Sequence, residues 1–369
     1  MEAVRIGVVG LGNMGTGHIR DSFPGVSRLQ LTAVCDDDAA RLAKYPDVAA
    51  FVSFDEMIAS GLVDAVLIAT PHYSHVDLGV AALEAGLHVL VEKPIAVHKE
   101  AAEKLIAAHV GREHLKFAAM FNQRTDGLYR KVRELVRGGD LGEIRRTNWI
   151  ITNWFRSAAY YGSGGWRATW GGEGGGVLLN QCPHNLDLYQ WIFGPPTAIQ
   201  AFCQFGKFHE IEVEDAVTAY FEHANGATGV FVTSTGEFPG TNRLEIAGDR
   251  GKLVVEDGKI TFIRTTQGVQ EFSDTTASSF PSMDTWRCEI PYTGGGHQHK
   301  KIVENFVAAI LDGDDLLAPA SEGIHSVEMA NAMIYSSLRG ETVHLPLDGA
   351  AYAGLLEDLV AGRLVAKTA

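Results

Sequence analysis

Glu92, Lys93 and Pro94 follow the apolar run His88 to Val91, which reads as a parallel strand. They therefore sit where that strand's carboxyl end meets solvent, and open α/β sheets bind ligands in the crevice outside those ends. A lysine there can hydrogen-bond a substrate oxygen and pass protons, and the proline fixes the turn that aims it. Taken alone, the triplet reads better as a surface turn. Upstream, Gly10, Gly12 and Gly15 form a GxGxxG with Asn13 and Met14 inside it, directly after the strand Val4 to Val9 and before a helical stretch from Thr16. In that context the first glycine makes a tight turn, the second lets the backbone approach a pyrophosphate, and the third packs helix on strand. Unpaired N–H groups at the helix start complete an anion site. Together these features specify a dinucleotide.

The second strand, Leu29 to Cys35, ends in Asp36-Asp37-Asp38. Asp36 lies about 20 residues past the glycines, where a carboxylate accepts from the adenosine ribose hydroxyls. Three carboxylates repel a 2'-phosphate, and no arginine follows immediately, so NAD is favoured over NADP. The strand Ala65 to Ala69 ends in Thr70-Pro71-His72-Tyr73-Ser74-His75, which makes Thr70, His72 and His75 neighbours of the cofactor rather than catalysts. The third constellation is Asn180-Gln181-Cys182-Pro183-His184, with Asp187 at i+3 from the histidine. Proline prefers the first helical turn, so a helix starting near His184 leaves Asn180 on the approach to it.

The elements that must position these groups follow from the alternation of strand and helix up to Phe121, which predicts a doubly wound parallel sheet over residues 1–121. Beyond it, apolar and polar residues alternate in several segments, and Asn225-Gly226 and Asp257-Gly258 are hairpin turns. Residues 122–369 thus read as an α+β unit, an open and mostly antiparallel sheet covered by helices. The glycine-rich stretch Gly162 to Gly176 reads as a mobile loop. At 369 residues two domains are the default. A formal charge of -14 and the lack of a basic run exclude nucleic acid as an expected partner. Four scattered cysteines without CxxC spacing argue against a disulfide framework and a structural zinc. No stretch approaches the about 18 apolar residues of a membrane span, and no signal peptide opens the chain, so no membrane association and a cytoplasmic location are expected.

The sequence GLGNMG, Asp36, ATPHYSH, VEKP and then Phe121-Asn122-Gln123-Arg124 resembles the N-terminal half of the glucose-fructose oxidoreductase, inositol dehydrogenase and MocA (Gfo/Idh/MocA) family. EKP at the end of that strand is the specific part. The resemblance implies an NAD-dependent oxidoreductase acting on a carbinol of a sugar, glycoside or polyol. It implies Lys93 and His184 as the acid-base pair, with Glu92, Lys93, Asn122 and Arg167 beside the cofactor. It also implies a homo-oligomer assembled through the second sheet. Trp166, Arg167 and Trp170 resemble positions lining the cleft, and Arg124, Arg156 and Arg167 are candidates to clamp an anionic substituent. The family usually has aspartate where this chain has Asn180, which orients a hydroxyl but carries no proton. Asp187 is a candidate to orient His184, and His297, just after Gly294 to Gly296, a candidate sugar contact; no metal is expected. Some relatives are hydrolases that oxidise a glycoside only transiently, and an NAD-dependent glycosidase is the alternative; a non-catalytic regulator ranks below both.

Overall fold

The computed structural model describes residues 2–366. Six strands form the first sheet: β1 (Val4–Val9), β2 (Leu29–Cys35), β3 (Ala49–Phe51), β4 (Ala65–Ile68), β5 (His88–Val91) and β6 (Phe117–Ala119). Their order is β3-β2-β1-β4-β5-β6 and every pairing is parallel. Parallel neighbours need crossovers, and helices such as Ser74–Glu84 and Lys99–His109 supply them. The chain reverses direction of travel at β1, between β2 and β4, so the strand ends there open a crevice.

Nine strands form the second sheet: β7 (Ile144–Ile151), β8 (Ala198–Phe205), β9 (Glu214–Glu222), β10 (Thr228–Ser234), β11 (Asn242–Gly248), β12 (Gly251–Glu256), β13 (Lys259–Thr265), β14 (Thr285–Ile290) and β15 (Val343–His344). Their order is β14-β13-β12-β11-β7-β10-β9-β8-β15, antiparallel except for β10 against β7. Asp257 and Gly258 both have positive φ, 50° and 70°, and Glu256 pairs with Lys259 across them, the two-residue turn that Asp-Gly favours. The helices Pro183–Phe193 and Gly323–Arg339 cover one face. On the other face Phe202 and Tyr220 are exposed. Among the described residues no helix is long and apolar enough to cross a membrane.

Two apolar cores result. The first takes Ile302, Val303, Phe306 and Val307 from the helix Gln298–Asp312, so that late helix packs on the first sheet's core. The glycine-rich stretch, expected to be a mobile loop, is exposed at Gly162, Gly165 and Trp166 but packed further on. Trp170 and Glu173 within it are buried. A Cβ at Gly174 would lie 1.9 Å from Val97 Cγ1, and one at Gly176 2.0 Å from the Glu214 carbonyl oxygen. These glycines are there because backbone packs against its neighbours with no room for a side chain.

Glu214 fastens the end of that loop. Its Oε1 accepts from Gly176 N (2.8 Å) and Leu178 N (3.0 Å), while buried Oε2 has no partner. Burial pushes its carboxyl up to about 7, against those donors. An acid whose pKa is raised on folding favours the native state most below its ordinary pKa, 4.5, and loses that contribution as pH rises through about 7. Glu214→Gln should therefore flatten the fall in stability between about pH 5 and 8, a difference on the order of 3 kcal/mol. Urea titrations of both proteins across that range check it; parallel curves would contradict it.

Candidate active site

The crevice at the carboxyl ends of β1, β2 and β4 is shaped by the glycines. Gly10 has φ +87° and stands against Ala69, while a Cβ at Gly15 would lie 1.9 Å from the Gly10 carbonyl oxygen. Gly12 has nothing within 4 Å of its Cβ position, and Asn13 and Met14 beside it are exposed. The helix begins at Asn13, three residues earlier than expected, and continues into a wide turn, His18–Ser22. An open glycine flanked by two closed ones is the cradle that a pyrophosphate requires.

Asp36 lies at the end of β2. Its Oδ2 accepts from Leu11 N (2.6 Å) and its Oδ1 from Asp38 N (2.9 Å). Burial opposes its ionisation, but the two N–H donors and Arg41 outweigh it and hold the carboxyl below the usual carboxylate range. The sequence reading overlooked Arg41, which pairs with Asp36 at 3.3 Å and Asp38 at 3.4 Å. The next turn is tied by histidine. His75 spans the carbonyl oxygens of Thr70 and Pro94, each 2.8 Å from a ring nitrogen, so it joins the ends of β4 and β5. His72 has Nδ1 3.2 Å from the Glu173 carbonyl oxygen, and burial lowers its pKa to about 3.

Glu92, expected beside the cofactor, turns inward. Its Oε1 lies 2.6 Å from Nε2 of His18 and its Oε2 accepts from Lys93 N at 3.1 Å. Burial opposes its charge, yet His18, Lys93 and His299 bring its pKa down to about 2. His18 is not signalled by the motif except by its position three residues past Gly15. Lys93 is thereby fixed at the base. Its Nζ donates to the Asn180 carbonyl oxygen at 2.8 Å. Burial lowers its pKa, partly opposed by Glu92 and Glu173, so the amine gives up its proton more readily than an exposed lysine.

The helix starts with Pro183 in its first turn, and His184 follows. Its ring meets Phe121 edge-to-face at 6.4 Å, and Nδ1 is buried without a partner. Burial and Lys93 lower its pKa to about 3, which keeps it neutral. Asn122 presents a second orphan at the end of β6: Nδ2 donates to Gln298 at 3.0 Å, but buried Oδ1 has no partner. Unpartnered buried polar atoms are rare enough to demand an explanation, and a bound ligand supplies one.

Three expected contacts are placed elsewhere. Arg124 donates Nε to Asp187 at 2.7 Å, pairs through Nη2 at 2.5 Å, and reaches Glu322 with Nη1 at 2.6 Å. Burial works against its charge, but Asp187 and Glu322 outweigh it and push its pKa up. With both members about 1% exposed, neither Arg124 nor Asp187 is available to a substrate or to His184. His297 is exposed at the start of a helix, and it is His299 whose ring lies 5.4 Å from His18. Trp166 does face His72, ring centroids 6.2 Å apart, and Arg167 lies over both Trp166 and Tyr160 at 4.7 Å. Arg156 joins them over Tyr160 at 5.0 Å, so of the three arginines these two converge. Asn180 Nδ2 donates to Glu173, a carboxylate that the sequence reading did not select.

Residues 4–118 match the model of an oxidoreductase family with an NAD-binding Rossmann fold, and residues 129–254 match the Gfo/Idh/MocA C-terminal domain. The chain belongs to the Gfo/Idh/MocA family. Among its relatives, an inositol 2-dehydrogenase of Corynebacterium glutamicum is 36% identical over 197 residues, which is 52% of this chain and 55% of that one. The chain thus spans about half the length of that relative. A second such enzyme, from Paenarthrobacter aurescens, is 27% identical over 90% of this chain and 96% of its own. In fold, the WlbA dehydrogenase of Bordetella pertussis, solved with NADH and UDP-GlcNAcA, superposes with a TM-score of 0.79 at 24% identity, covering 94% of this chain and 100% of that one. The NAD-binding Rossmann match spans the glycine cradle, and the open face of Gly12 fits that cofactor.

Proposed function

We propose that the protein is an NAD-dependent oxidoreductase acting on a secondary carbinol of a sugar, glycoside or polyol. One observation carries this reading: at the end of β5, one strand beyond the glycine cradle, a buried lysine is electrostatically coupled to a neutral histidine with an unpartnered ring nitrogen. The name inositol 2-dehydrogenase borne by both relatives supports a polyol or sugar over other alcohols. Gly10, Gly12, Gly15 and Asp36 hold the cofactor, whose nicotinamide supplies the hydride acceptor. Lys93 takes the hydroxyl proton, because burial lowers its pKa, whereas a histidine held near 3 is a poor base. His184 orients the hydroxyl as a neutral hydrogen-bond partner. Trp166 and Arg167 line the entrance. The exposed face of the second sheet, with Phe202 and Tyr220, is the surface for a second copy, and the four free thiols suit a reducing cytoplasm.

The test offers the protein NAD and a panel of inositols, free sugars and aryl glycosides, following NADH and released aglycone together. NADH formed in step with a polyol or sugar is the expected result. Aglycone release without net NADH would replace this reading with redox-neutral hydrolysis.

A further inference from the structure

We propose that Glu173 is the positioning carboxylate of this site: it acts on Asn180 by a hydrogen bond and on Lys93 through space, adding to Glu92 a negative charge that the Asn180 amide cannot supply. The proposal rests on the oxidoreductase reading above. An amide at 180 can neither carry a charge nor accept a proton at neutral pH. The proton that reaches Lys93 turns a buried amine into a buried ammonium, which Glu92 and Glu173 both favour.

The carboxylates near Lys93 sort by their partners. Glu92 is committed to His18, Asp187 to Arg124, and Glu214 to the backbone of Gly176 and Leu178. Glu173 is 1% exposed, and its Oε2 accepts from Ala168 N at 2.6 Å while its Oε1 receives Asn180 Nδ2. That bond fixes which end of the Asn180 amide points away from Glu173, so Oδ1 is the atom left for the substrate hydroxyl. The same asparagine accepts Lys93 Nζ on its carbonyl oxygen, so a single residue lies between the acid and the amine.

Groups around Lys93 pull both ways. Glu92, Glu173 and the Cys182 thiol favour the ammonium, while Arg156 disfavours it. His72, His75, His184 and His299 are its remaining titratable neighbours, and burial lowers the pKa of each. Around Glu173 itself, burial raises its pKa against Ala168 N–H, Arg167 (3.9 Å), Asn180 and Lys93. In the oxidative direction the C–H bond breaks with its electron pair going to the nicotinamide. The O–H proton goes to neutral Lys93, and Glu173 stabilises the ammonium until water takes the proton. Electrons and protons balance as carbinol plus NAD giving carbonyl, NADH and one proton.

Glu173→Gln keeps the shape and removes the charge. The readout is the titration midpoint of Lys93, followed by NMR of the isotope-labelled lysine side chain in the full chain. E173Q should lower that midpoint by about one pH unit, and E173Q/N180D should restore it. Both pH limbs, the acid limb of oxidation and the alkaline limb of reduction, should move down together. An unmoved Lys93 midpoint in folded E173Q overturns the proposal. Coupling is reciprocal, so K93M should raise the Glu173 carboxyl midpoint in isotope-edited infrared spectra; this decides the matter even where E173Q does not fold, and no change there overturns it as well. The midpoints need no substrate, so wild-type protein without NAD-linked turnover would contradict the functional reading alone.

Discussion

Lys93→Met is expected to lower kcat by about 10^2–10^4-fold, the usual contribution of a positioned acid-base group, while NADH binding stays close to wild type. Methionine is an unbranched side chain one atom shorter than lysine, and it removes both donor and charge. The glycine cradle and Asp36 lie at the ends of β1 and β2, separated from Lys93 by β4, so the loss should appear in turnover rather than in cofactor affinity. NADH fluorescence titration and absorbance at the nicotinamide band separate the two. Unchanged turnover would remove Lys93 from the chemistry.

Asp187→Ala is expected to destabilise the fold by about 3–5 kcal/mol, the cost of leaving one member of a buried ion pair uncompensated. Arg124 would keep Glu322, whose side chain is 43% exposed, a contact to the Leu317 carbonyl oxygen, and the rings of Phe121 and Trp191. The pair also joins two elements, the turn after β6 and the helix that presents His184, so the same change should loosen His184. Urea unfolding measures the first effect. Pairing D187A with Arg124→Leu should recover part of the loss, since no isolated charge then remains. Full stability in D187A alone would mean that water replaces the carboxylate.

Much of this molecule is legible from local pattern. The parallel sheet follows from apolar runs that are buried on both faces, and the start of the His184 helix follows from Pro183. The glycine cradle was readable because GxGxxG sat between a strand and a helix. Pairings across long sequence separations were not readable. Arg124 and Asp187 were selected as polar residues near a motif, and only the fold shows that each is the other's partner. His18 reaches Glu92 across 74 residues, and the helix Gln298–Asp312 returns to the first core from the far end of the chain. In the stretch Gly162 to Gly176 glycine signals both freedom and close packing: Gly165 is open, whereas Gly172, Gly174 and Gly176 are there for packing. Glu173 was hidden inside it, seven residues from the asparagine it holds.

The central claim is hydride transfer from a carbinol carbon to the nicotinamide. Its most direct test uses the best polyol of the panel, deuterated at every carbinol carbon, with NAD and the wild-type protein. Mass spectrometry of the reduced cofactor should show one deuterium, at C4 of the nicotinamide, in amounts equal to the carbonyl product. Reduced cofactor without deuterium, or product formed with no reduced cofactor at all, would contradict it.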